Sequence, residues 1–168
     1  MTSRTLLAAA LLAAAIAGPA AADTPFIDTN QVQWKTPPLS YGGKAFAQAF
    51  RYKTLIGGAS APVRGRNVLF GEAEFAPGAV YVGHKHPAPE IYYIISGEAL
   101  WTVGDKTFKA TPGMAIYTKP NAVHRMVNTG NEVLKTVWMW WGSPGELNHL
   151  PTFTEPQEDQ PQGATFAD

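Results

Sequence analysis

Between residues 67 and 141 the chain is broken every few residues by Gly, Pro or Asn, and the pieces between are rich in Val, Ile, Tyr, Phe and Trp. The pieces are NVLFGEAEF (67–75), AVYVGH (79–84), EIYYII (90–95), ALWTV (99–103), TFKA (107–110), MAIYT (114–118), VHRMV (123–127) and VLKTVWMWW (133–141). Each has the length of a strand and is bounded by a turn signal such as APG, HPAP, SG, TPG, KPN or NTGN. Gly104-Asp105 suits a two-residue hairpin loop. No run in this region sustains a helical period. Short strands at regular spacing indicate an all-β sandwich or barrel. AFAQAFRYKTLI (45–56) reads as one or two further strands or as a short helix. From Pro144 onward the composition shifts to Pro, Gln, Glu and Asp. There SPGELNHLPTF reads as packing back on the barrel, and TEPQEDQPQGATFAD as a mobile tail.

The first residues stand apart. Arg4 is followed by an apolar run from Leu6 to Ala17, then Ala20-Ala21-Ala22 before Asp23. A basic start, an apolar middle and small residues before the break describe a secretory signal peptide cleaved after Ala22. The run is too short and alanine-rich for a comfortable membrane span. No cysteine follows it, which argues against a lipoprotein anchor. The organisation expected is a signal peptide (1–22), an N-terminal arm with edge strands (23–66), a barrel (67–142) and a partly disordered C-terminal extension (143–168). The product is expected to be periplasmic or secreted.

Composition narrows the function. Of 13 basic residues, removal of Arg4 leaves 12 against 13 acidic, a net charge of −1. Nothing there attracts nucleic acid or a membrane surface. With no cysteine, a metal would be held by nitrogen and oxygen donors alone.

GHKHPAPEIYY (83–93) concentrates those donors. Residues two apart on a strand share a face, so His84 and His86 project together. Glu90 opens the next strand after a Pro-rich turn and can return to the same pocket. His124 lies on a later strand. A lone His-x-His is a weak signal, but three His and one Glu converging inside a barrel are costly to bury uncompensated. They suit a divalent first-row ion: Fe, Mn, Co, Ni, Cu or Zn.

The spacing is also that of a known family. Gly78, His84, His86, Glu90 and Gly97 match the first cupin motif without deviation. His124 and Asn128 match the second, with Asn121 at its glycine position and Pro120 one step late. Asn tolerates the left-handed backbone better than most residues, so that exchange is mild. The chain thus resembles the cupins over residues 67–141, which implies a double-stranded β-helix, or jelly-roll, barrel. HKHPAPEIYY, KPNAVHRM and VWMWWG most resemble the cupin-type dimethylsulfoniopropionate lyases. That resemblance implies a metal held by His86, Glu90 and His124, with Tyr92 beside it and His84 as a further histidine. It matches Tyr81 to a tyrosine implicated as a base. Small cupins are often dimers through β-sheet contacts, so a homodimer is the implied assembly.

Strand parity bears on these roles. With Glu90 inward, Tyr92 and Ile94 follow it and Tyr93 points away. Tyr81 turns outward in a regular strand unless a bulge intervenes, and Gly83 is the place for one. Trp138 and Trp140 share a face and are candidates, with Met126, for the wall of a substrate pocket. The sharper role for the tryptophans is cation–π attraction to a sulfonium. Arg125 is expected to point away from the metal, and His149 to be solvated.

The activity implied is β-elimination of a small carboxylate to dimethyl sulfide and acrylate, with Tyr92 or Tyr81 as the catalytic tyrosine that takes the proton. The same donors would support a dioxygenase acting on a small acid or phenol, or a binding cupin that captures a ligand without turnover. Fold alone does not decide among them.

Overall fold

The computed structural model describes residues 26–41, 43–59, 61–156 and 164–166. The expected signal peptide, its cleavage point after Ala22 and most of the acidic tail lie outside these residues.

The chain folds as two five-stranded antiparallel sheets. A short helix, α1 (Gly43–Ala49), leads into β1 (Phe50–Ile56). The strands β2 (Val68–Phe75), β3 (Val80–Lys85), β4 (Glu90–Ser96), β5 (Ala99–Val103), β6 (Lys106–Ala110), β7 (Ala115–Thr118), β8 (His124–Asn128) and β9 (Leu134–Trp141) follow. A helical turn, α2 (Pro144–Leu147), and the short β10 (Thr152–Phe153) close the order. The first sheet runs β1-β2-β9-β4-β7 and the second β10-β3-β8-β5-β6. This is the all-β jelly roll expected for a cupin. Among the described residues no helix is long and apolar enough to cross a membrane.

Alternation along the strands builds the core. In β4 the residues Glu90, Tyr92 and Ile94 are buried, while Tyr93 and Ile95 are exposed. Phe75, Ile94, Leu134, Trp101 and Met126 fill the space between the sheets, and Phe46 of α1 caps them. The segment 45–56 is both of its expected alternatives in turn: helix to Ala49, strand from Phe50. β1 pairs with β2, so the N-terminal arm supplies one edge of a sheet.

The motif residues that carry no chemistry hold the turns. Gly97 has φ +81°, and a Cβ there would meet Leu134 Cα at 2.9 Å. Asn121 is left-handed at φ 59°, and its N–H donates to the His86 carbonyl, 2.8 Å away. The Asn128 amide donates to the carbonyls of Phe75, Ala76 and Glu132, tying β2, β8 and the turn before β9 together.

Candidate metal centre

His84 ends the pairing of β3 with β8 and lies directly opposite His124, the first residue of β8. His86 follows one residue beyond β3, and Glu90 opens β4. One ring nitrogen from each of the three histidines lies within 4.8 Å of the others. His84, His86, Glu90 and His124 are only 1%, 2%, 1% and 2% exposed, so water does not compensate their polarity.

The three imidazoles are oriented alike. His84 Nδ1 lies 2.8 Å from the Val82 carbonyl, His86 Nδ1 2.7 Å from that of Ala88, and His124 Nδ1 3.0 Å from that of Ala122. A carbonyl oxygen only accepts, so each Nδ1 carries the proton and donates it. In the neutral ring each Nε2 is then left with a lone pair. Among the described residues, Nε2 of His84 and of His124 have no hydrogen-bond partner. Glu90 Oε2 stands 3.2 Å from His86 Nε2 and 3.0 Å from His124 Nε2. The His86 contact is a hydrogen bond only when that Nε2 carries a proton; with the protons on Nδ1, both contacts set nitrogen lone pairs against a carboxylate oxygen. Acceptors converging at such distances need a cation between them. The donor set and these orphaned nitrogens fit a divalent ion.

The electrostatics agree in sign. Burial pushes the His84 imidazole well below its ordinary pKa, and the nearby His124 adds to the effect. That keeps His84 neutral, the form that binds metal. Burial pushes Glu90 up, but protonated His124 and His86 at these distances outweigh it and hold the carboxylate below its usual range, a part that a cation takes over when those Nε2 atoms are unprotonated.

A cavity of about 320 Å³ opens beside the cluster, and Glu90, Tyr81, Tyr92, Trp138 and Trp140 line it. The pairing of β3 with β8 is irregular between Tyr81 and His84, and Tyr81 turns inward to stack on the His84 ring at 4.0 Å. Tyr92 packs on Trp101 with centroids 4.9 Å apart. Trp140 Nε1–H donates to Glu90 Oε1. Met126 is not brought to this cavity. It is buried in the core opposite Trp101 on the neighbouring strand, where the β8 alternation places it two residues beyond His124. A second, open cavity of about 470 Å³ between the turns at Gly97, Thr111 and Gly130 contains none of these residues.

The mouth of the aromatic cavity comes from segments that no strand pattern marked. Pro37 and Pro38 form one side, and Leu147 to Pro151 the other. His149 is exposed, yet it lies on this rim. The signal for α2 was present in SPGE, an N-cap followed by Glu: Ser143 and Glu146 form a reciprocal capping box. Beyond it, Glu155 Oε2 accepts from Gly83 N–H at 2.8 Å and from Arg125 Nε at 3.1 Å. Arg125 thus faces the C-terminal segment and not the cluster.

Residues 71–140 match the family described as the cupin domain. The dimethylsulfoniopropionate lyase DddW of Ruegeria pomeroyi is 33% identical over 90 residues, which are 54% of this chain and 58% of that protein. The crystal structure of the DMSP lyase DddQ from Ruegeria pomeroyi DSS-3 superimposes with a TM-score of 0.65 at 26% identity, covering 74% of this chain and 62% of that one. A chain from the crystal structures of the DMSP lyases RdDddP and RnDddQII gives 0.63 at 25% identity, covering 74% and 63%. The chain spans about half the length of the curated relatives it matches.

Proposed function

We propose, on the premise that this chain carries a cupin domain most resembling the dimethylsulfoniopropionate lyases, that it is an exported metal-dependent lyase. Its substrate would be a small carboxylate with a leaving group on the β-carbon, such as dimethylsulfoniopropionate. The observation that carries the metal reading is the common orientation of the three histidines. Each Nδ1 is spent on a backbone carbonyl, and each Nε2 is turned to the cluster. Export rests on residues 1–22 alone.

His84, His86, Glu90 and His124 would hold one divalent ion. Such an ion, when bound, supplies Lewis acidity toward a substrate carboxylate. The chain's own residues do the rest. Tyr81 is the base, supported by its stacking on His84. An ordinary phenol titrates at about 10, and a nearby cation favours its ionised form. The phenolate takes the proton from the carbon next to the carboxylate. The electrons of that C–H bond form the new C=C bond, and those of the C–S bond leave with sulfur. Dimethyl sulfide departs neutral, acrylate remains, and the proton resides on Tyr81. Tyr92, Trp138 and Trp140 wall the substrate from water and offer ring faces to its sulfonium.

Incubation of the metal-loaded protein with dimethylsulfoniopropionate is the test. Equimolar dimethyl sulfide and acrylate are expected without oxygen. A product that forms only with oxygen would replace the lyase reading with the dioxygenase.

A further inference from the structure

Trp140 touches two residues of the cluster at once. Its indole N–H donates to Glu90 Oε1 at 2.5 Å, and its ring stacks on that of His86 with centroids 4.1 Å apart at 29°. Register explains the first contact, because Trp140 on β9 lies directly opposite Glu90 on β4. The other carboxylate oxygen, Oε2, faces His86 and His124. The indole therefore occupies one oxygen of Glu90 and leaves the other for the cluster. The same ring braces His86, the one histidine of the cluster that lies outside the strands.

We propose that Trp140 is a positioning residue for the metal site: it holds Glu90 to a single presented oxygen and fixes the plane of His86. This rests on the metal reading above. It gives Trp140 a role besides that of cavity wall. Groups of this kind typically govern metal affinity by about 10–100-fold. Trp141, the next residue, serves as the control. It points to the other face of the sheet and stacks on Tyr117.

The experiment titrates metal-free protein with Co(II) alone and follows the visible absorption of the bound ion. Trp140→Phe keeps an aromatic ring, though a smaller one, and removes the donor. It is expected to retain the wild-type far-UV circular dichroism, bind Co(II) about tenfold or more weakly, and give an altered visible spectrum. Trp141→Phe should match wild type. Equal affinity and spectrum for Trp140→Phe would overturn the inference. Should that variant fail to fold, the indole ¹⁵N–¹H resonance of Trp140 in the wild type decides. It is expected to move on addition of Zn(II), and an unmoved resonance would overturn the inference. If wild type itself binds no Co(II), the metal reading falls and takes this inference with it.

Discussion

Tyr81 and His84 stack with ring centroids 4.0 Å apart although they stand three positions apart in β3. In a regular strand they would face opposite ways. The irregularity in the β3–β8 pairing puts them on one side, and the C-terminal segment clamps it there. Glu155 accepts from Gly83 N–H, and Thr154 N–H donates to the Gly83 carbonyl at 2.7 Å.

Gly83→Ala tests that clamp. An added Cβ would meet the Glu155 carboxyl at 2.8 Å and Thr154 Oγ1 at 2.9 Å. Either the segment lifts or the bulge shifts, so urea denaturation should show a loss of about 1–3 kcal/mol. Turnover should fall with it. Unchanged stability and turnover would mean that the clamp does not support the Tyr81 wall.

Tyr81→Phe should leave metal content at the wild-type level and lower turnover by about 100-fold or more, the usual worth of a positioned base. Tyr92→Phe, which alters the cavity wall and the contact with Trp101, should cost less. The paired assay is dimethyl sulfide release per bound metal. If Tyr92→Phe is the inactive variant and Tyr81→Phe is not, the base is misassigned.

His86→Ala and Glu90→Ala should each purify with little metal, measured by elemental analysis. Full occupancy in either variant would remove that residue from the ligand set.

The metal-free protein should weaken on acidification. The folded-state pKa of His84 lies below its unfolded value of about 6.5. The unfolded chain therefore binds more protons below that pH. The contribution of His84 is complete above about pH 6.5 and is lost as pH falls. Glu90 has the same sign: its lowered pKa gives stability that is present above about pH 4.3 and lost below it. Urea midpoints should fall between about pH 7 and 5 and again below about pH 4.3. His84→Asn should flatten the upper limb. A flat profile in the metal-free wild type would contradict the burial of a neutral His84.

The strands were legible because punctuation and parity are local. Tyr92 inward and Tyr93 outward follow from one alternation, and the left-handed Asn121 follows from its place in the motif. Three things were not legible from periodicity. Tyr81 faces inward only because its strand is irregular, which parity permits but does not require. Met126 shares the inward face of β8 with His124, yet lies deeper, against the core. The cavity mouth joins residues near 37 to residues near 150. Such contacts are tertiary, and no local pattern encodes them.

The proposed elimination needs a bound metal and no oxygen. The most direct measurement is dimethyl sulfide released from dimethylsulfoniopropionate under anaerobic conditions, by wild type and by His124→Ala, with the metal content of each determined. Metal-loaded wild type should release sulfide and the metal-depleted variant none. Metal-loaded wild type that releases no sulfide would contradict the proposed elimination.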